Sequence, residues 1–263
     1  MHLLMCPPAY FDVAYEINPW MHLQNVPDVD EAKRQWDALY AIVTDRIGAR
    51  VSLIDPQPGL PDMVFTANAG LVEGRVYIPS RFRHAERAGE VPHFERWFQD
   101  HQYQRKPLSD GWFEGEGDAL SYAGILLAGY GPRSSAAAHP ELARILGRDV
   151  LSLGLVDGRY YHLDVCFAPL GPNMFAYIPE AFDEAANRAL LGLPGEKIPI
   201  TPEDAQHFGA NAVVIGRDVI LNTGANSFSA ALTERGYTVH ETDLSEFLKA
   251  GGSAKCLTLI LER

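Results

Sequence analysis

The chain of 263 residues carries 22 Lys+Arg against 34 Asp+Glu, a formal charge of −12, with 47% hydrophobic and 21% charged residues. That composition supplies ample material for a core and excludes a disordered chain. The acid excess argues against a nucleic-acid or anionic-membrane partner, because phosphate binding leans on a Lys/Arg surplus. No run of roughly 20 apolar residues is present, and the apolar stretch His2–Cys6 stops at Pro7-Pro8, too short for a span or a leader. Cys6, Cys166 and Cys256 are odd in number and form no C-x-x-C, which reads as reduced thiols in a cytoplasmic protein.

In chain order, Trp36, Leu39, Tyr40, Val43 and Ile47 form an apolar stripe at helical spacing, with Gly48 just past its end and the strand-like ARVSLI after it. Asn68 then opens AGLVEGRVYIP, two apolar runs around a Gly turn, as in a β-hairpin; helix-like Pro92–His101 and strand-like YQRKPL follow. The same succession recurs three times. Asp118 opens ALSYAGILLAGYG, followed by Pro140–Leu146 and DVLSLGL. Asp164 opens VCFAPLGPNMFAYIP, followed by Glu180–Leu191 and KIPI. Asn211 opens AVVIGRDVILN, followed by Ser227–Arg235 and YTVHET. Cys256 opens a last apolar run, Leu257–Leu261.

The opening residues are spaced by 50, 46, 47 and 45, a repeat of strand, strand, helix, strand. A four-stranded propeller blade has a similar period but is all-β, and the helical stripes argue against it. The expected fold is therefore α/β, a five-unit ββαβ propeller over residues 1–263. The run Leu3–Cys6 would supply the missing partner of the fifth hairpin, closing the ring and removing an open sheet edge. The five opening residues would then lie near the axis, where a pocket forms.

Several of these residues can carry chemistry. Cys256 follows a Gly-Gly turn and Lys255, a setting that fits a reactive thiolate as well as a buried strand cysteine. His162 lies two residues before Asp164 in YYHLDV; on a strand both would face one side, and the carboxylate would orient the imidazole. FEGEGDAL places Glu114, Glu116 and Asp118 among glycines, without an EF-hand or H-E-x-x-H pattern for a metal. Asp62 precedes Asn68 by six residues, and paired acids suit a planar guanidinium. Arg133 in GYGPRSS could receive a carboxylate or simply be exposed.

Taken together and in this order, PDMVFTANAG, FEGEGDA, GYGPRS, YYHLDV and GGSAKC resemble the guanidino-group-modifying superfamily, the penteins. Its members include arginine deiminase, dimethylarginine dimethylaminohydrolase and the amidinotransferases. INPWM, PD-x-VFTANAG and FLKAGG-x-AKCLTL are similar in particular to the arginine dihydrolase domain of cyanobacterial arginine–guanidine-removing enzymes. The resemblance implies Cys256 as nucleophile and His162 as general acid/base. Glu114, counted with these two as catalytic, and Asp164 would hold the guanidinium. Asp62, Asn68 and Asp118 would also bind substrate, Arg133 and Arg87 its α-carboxylate, and Asn18 would line the site. Neither metal nor organic cofactor is required. The partner would be a small arginine-like guanidino compound, with self-association left open. Asn68 is a departure: deiminases and dimethylarginine hydrolases resemble one another in having Asp there, whereas dihydrolases have Asn.

The implied function is hydrolysis of arginine to ornithine, ammonia and carbon dioxide. The alternatives are hydrolysis of dimethylarginine or of arginine to citrulline, with an amidinotransferase or a non-catalytic scaffold further off. Glu116 and His207 receive no role.

Overall fold

Parallel strands need a crossover connection, and every parallel pair in this chain is bridged by one or more helices. The computed structural model describes residues 1–263 and contains the same three-stranded sheet five times. The first sheet contains β1 (His2–Met5) and β2 (Arg50–Leu53), and the second β3 (Gly70–Glu73), β4 (Val76–Pro79) and β5 (Gln104–Arg105). The third is formed by β6 (Ala119–Tyr122), β7 (Ile125–Tyr130) and β8 (Val150–Gly154). The fourth is formed by β9 (Phe167–Gly171), β10 (Met174–Tyr177) and β11 (Glu196–Pro199). The fifth holds β12 (Val213–Ile215), β13 (Asp218–Asn222) and β14 (Thr238–Thr242), while β15 (Leu259–Glu262) returns to the first.

In each sheet the central strand pairs antiparallel on one side and parallel on the other. In the first sheet the antiparallel partner of β1 is β15, with Leu3 opposite Ile260 and Leu4 opposite Leu259. The expectation that Leu3–Cys6 completes the fifth hairpin run therefore holds.

The crossover helices are amphipathic and capped. Val29–Ala41 begins where the Asp28 side chain accepts from the Glu31 N–H, and it runs on through a wider turn at Ile42–Arg46. The expected helix Glu180–Leu191 instead covers Glu184–Gly192, because Asp183 accepts from the Ala186 N–H and caps the helix there. Val91–Asp100, His139–Leu146 and Asn226–Glu234 lie where the apolar stripes place them. No helix is long and apolar enough to cross a membrane.

Successive sheets share apolar clusters. Leu4, Leu259 and Leu261 pack with Ala69 and Tyr77, and Leu71 and Ile78 pack with Ala119 and Leu126. Leu127, Phe167, Phe175, Val219 and Leu221 join the third, fourth and fifth sheets; Val213 and Ile220 then meet Leu3 and Met5 of the first, and Leu257 just ahead of β15. One expectation fails locally. His162 and Asp164 do not lie on a strand: Leu163–Cys166 is a single helical turn, and the strand starts only at Phe167. This turn aims the two side chains at different partners.

Leu4 is wholly buried opposite Leu259. Leu4→Ala should cost about 2–5 kcal/mol in urea unfolding through lost burial and the cavity left behind; a loss below about 1 kcal/mol would show that this strand pairing carries no weight.

Candidate active site

Just before each hairpin the chain makes a short turn, and the five turns are hydrogen-bonded to one another. The Ala67 N–H donates to the Cys256 carbonyl at 3.1 Å, and Asn68 Nδ2 donates to the Glu114 carbonyl at 3.0 Å. The Leu163 N–H donates to Asp118 Oδ1 at 3.0 Å, and Asn211 Nδ2 donates to the Asp164 carbonyl at 3.0 Å. The Cys256 N–H, finally, donates to Asn211 Oδ1 at 3.2 Å. Each unit is thus tied to the next through its opening turn. Glycines make the approach close enough: a Cβ on Gly117 would stand 2.5 Å from Asn68 Nδ2 and 3.6 Å from the His162 ring.

At this junction Cys256, His162, Glu114, Asp164, Asp62, Asn68, Asp118, Arg87 and Arg133 are all buried. Cys256 Sγ lies 3.6 Å from Asp164 Oδ2 and receives Asn211 Nδ2 at 3.1 Å. Burial, reinforced by the Asp164 carboxylate, pushes the Cys256 thiol up. Burial likewise pushes Asp164 up to about 7, against the pull of Lys255; its Oδ1 has no partner. His162 Nε2 is 2.8 Å from Glu114 Oε2, which also accepts from Arg133 Nη1 at 2.7 Å. Burial opposes ionisation of Glu114, but Arg133 and His162 overcome it and hold the carboxyl below the usual carboxylate range. The carboxylate partner of His162 is therefore Glu114 and not Asp164, which turns to the sulfur.

Two expected substrate contacts are used internally. Asp118 accepts from Ser134 Oγ at 2.6 Å and from the Leu163 N–H, so it orients the His162 turn; burial raises it to about 6. Arg87 is filled by Glu90, with Nε to Oε1 at 2.7 Å and Nη2 to Oε2 at 2.9 Å, by Asn68 Oδ1 at 2.8 Å and by the Asp62 carbonyl at 3.1 Å. That arrangement engages four of the five Arg87 N–H groups and makes it the holder of Asn68. Burial raises Glu90 to about 7 even against Arg87, and it raises Asp62, whose Oδ1 is unpartnered.

Arg133 stacks over the Tyr161 ring, 4.9 Å from its centroid, and donates Nη2 to the Ile17 carbonyl at 3.2 Å. Asn18, next to it, donates to the Ala250 carbonyl at 3.1 Å, which ties the loop before the first helix to the Gly251-Gly252 turn leading into Cys256. A Cβ at Gly251, whose φ is +82°, would meet the Tyr161 hydroxyl at 2.8 Å. Glu116 holds Lys255 Nζ at 2.8 Å. His207 is exposed and makes no contact with this group. Sequence reasoning missed the contacts of Asn211, Glu90 and Ser134. For Asn211 the signal was present, since it stands one repeat before Cys256.

A buried cysteine, a histidine on a carboxylate and further acids meet at the inner turns of five ββαβ units, the arrangement expected of a pentein. The family model described as "N,N dimethylarginine dimethylhydrolase, eukaryotic" matches residues 20–262, and the chain belongs to this dimethylarginine dimethylaminohydrolase family. It is 47% identical over 265 residues to the bifunctional arginine dihydrolase/ornithine cyclodeaminase AgrE of Nostoc sp., covering 98% of this chain and 37% of that protein. The chain thus spans a little over a third of that relative's length. It is 44% identical over 256 residues to the N(G),N(G)-dimethylarginine dimethylaminohydrolase of Mycobacterium tuberculosis, covering 97% of this chain and 84% of that one. The substrate-bound N-terminal domain of ArgZ, a cyanobacterial arginine dihydrolase, superposes with a TM-score of 0.94 at 44% identity, covering 99% and 97% of the two chains.

With its pKa raised, Asp164 binds a proton in the folded state that it releases in the unfolded one, so its burial costs stability as pH rises from its ordinary range through about 7. Asp164→Asn should therefore gain stability relative to the parent between pH 5 and pH 8, by roughly 2–4 kcal/mol in urea unfolding. A difference that stays flat with pH would contradict the raised pKa.

Proposed function

We propose that this chain hydrolyses the guanidino group of arginine twice, giving ornithine, carbon dioxide and two ammonia, through covalent intermediates on Cys256. The reading is supported by the match to arginine dihydrolases and, within the site, by one observation above all. Asn68 is a neutral amide that both donates and accepts: Nδ2 goes to the Glu114 carbonyl and Oδ1 takes Arg87 Nη1. An Asp at this position could only accept, and would face the carbonyl with a charge. The names of the relatives carry the chemistry: ArgZ has been seen bound to substrate, bound to product and covalently linked to a reaction intermediate.

In this mechanism the guanidinium is received by Glu114 and Asp164, and the Cys256 thiolate attacks its central carbon. His162, oriented by Glu114, protonates the nitrogen that leaves as ammonia, and an S-alkylthiouronium remains on the sulfur. His162 then takes a proton from water, the hydroxide adds to the same carbon, and the thiolate departs to release citrulline. In the second round Cys256 attacks the ureido carbon and ammonia leaves again. Hydrolysis of the resulting thiocarbamate frees a carbamate that splits into ornithine and carbon dioxide. Two waters are consumed in all. The neutral Asn68 amide would tolerate the uncharged ureido group that the second round requires. Arg133, which donates to the Ile17 carbonyl, would meet the amino-acid end of the substrate. The three unpaired, buried thiols fit a reducing compartment, the cytoplasm.

The test is product counting with purified protein and arginine. About two ammonia per ornithine is expected, while accumulation of citrulline would overturn the two-step reading and release of dimethylamine from dimethylarginine would favour the hydrolase named for that substrate. Cys256→Ser should lower turnover by roughly 10³-fold or more; near-normal activity would remove the nucleophile. Asn68→Asp should shift the product from ornithine toward citrulline, and an unchanged ratio would contradict the role given to the amide.

A further inference from the structure

Asn211 is fully buried and makes four contacts around the proposed nucleophile. Its Oδ1 accepts from the Lys255 N–H at 3.0 Å and the Cys256 N–H at 3.2 Å. Its Nδ2 donates to the Asp164 carbonyl at 3.0 Å and reaches Cys256 Sγ at 3.1 Å. The two ends of the amide cannot be exchanged. Backbone N–H groups only donate, so the atom facing them is oxygen; a backbone carbonyl only accepts, so the atom facing Asp164 is nitrogen. The group against the sulfur is therefore an N–H donor of fixed direction.

A thiol accepts such a hydrogen bond weakly, whereas bonds to an ionised acceptor are shorter and about twice as strong. A donor held at this point therefore favours thiolate over thiol. The Ser253 backbone also favours the thiolate; the other groups around the sulfur do not supply a donor to it. Asp164 Oδ2, at 3.6 Å, opposes the thiolate. Lys255 favours it, but its ammonium is engaged by Glu116 at 2.8 Å and the Thr258 carbonyl at 3.1 Å. Tyr161 gives its hydroxyl to the Gly251 carbonyl, while His162 and Arg133 are held by Glu114.

We propose that Asn211 is a catalytic residue whose Nδ2–H stabilises the Cys256 thiolate, while its Oδ1 clamps the backbone that aims the sulfur. This rests on Cys256 being the nucleophile, and not on which guanidino compound is cleaved. Asn211 stands at the same repeat position as Asp164, and both turn a polar group toward the sulfur.

The experiment is the pH dependence of Cys256 alkylation by iodoacetamide without substrate, followed by mass spectrometry on the Cys256 peptide so that Cys6 and Cys166 do not contribute. The S–C bond forms, iodide leaves, and the thiol proton goes to buffer. Asn211→Asp keeps an acceptor for the two backbone N–H groups and removes the donor; Asn211→Ala removes both without adding charge. In both variants the alkylation midpoint should rise by at least one pH unit, with alkylation below it slowed about tenfold. Folded variants with the parent midpoint would overturn the proposal. Should neither variant fold, the side-chain ¹⁵N resonance of Asn211 in the unaltered protein decides: it should titrate at the alkylation midpoint, and an amide indifferent to that ionisation would equally overturn it. Full turnover by Cys256→Ser would instead sink the nucleophile assignment, a result that the alkylation data cannot mimic because they involve no turnover.

Discussion

Polar groups buried at the inner turns must find partners without water, and in this protein a chain of them finds partners in the neighbouring unit. Amides and carbonyls at Ala67, Asn68, Glu114, Asp118, Leu163, Asp164, Asn211 and Cys256 are paired across unit boundaries. An unmet buried donor or acceptor costs about 1–3 kcal/mol, so these bonds restrict how the units can be arranged. The same bonds bring a cysteine, a histidine and several acids together from residues up to 194 positions apart, Asp62 to Cys256. The site is what the junction of the repeats becomes when its turn residues carry reactive groups.

Charge is the second constraint. Asp62, Glu90, Glu114, Glu116, Asp118 and Asp164 are buried with the permanent cations Arg87, Arg133 and Lys255. Glu114 is compensated and stays ionised, whereas burial pushes Asp164, Glu90 and Asp118 up toward neutral pH. A guanidinium brought against Asp164 would pull its pKa back down and supply the missing positive charge. The acid excess of the whole chain has no part in this; the relevant carboxyls are the few at the junction.

The repeat was legible because each unit buries apolar runs of fixed length between Gly turns, and the spacing from Asn68 to Cys256 survives every change of residue. The pairing of β1 with β15 followed from counting strands. The YYHLDV segment misled because six residues are too few to separate a period of two from one helical turn. Reading it as a strand paired His162 with the wrong carboxylate. Arg87 and Glu90 stand three apart, the spacing of an ion pair on a helix, and that was the clue that Arg87 was already engaged. Glu116 and Lys255 lie 139 residues apart and nothing local announces their bond. Asn211 was found by the period but not by its chemistry, because an amide facing sulfur looks in sequence like any turn asparagine.

The most direct measurement of covalent chemistry at Cys256 is acid quenching during arginine turnover, followed by mass spectrometry of the digested protein. The expected result is a transient adduct of arginine less ammonia on the Cys256 peptide, forming and decaying at rates that match product release. Sustained turnover with no adduct on Cys256, or with one on Cys6 or Cys166 instead, would contradict it.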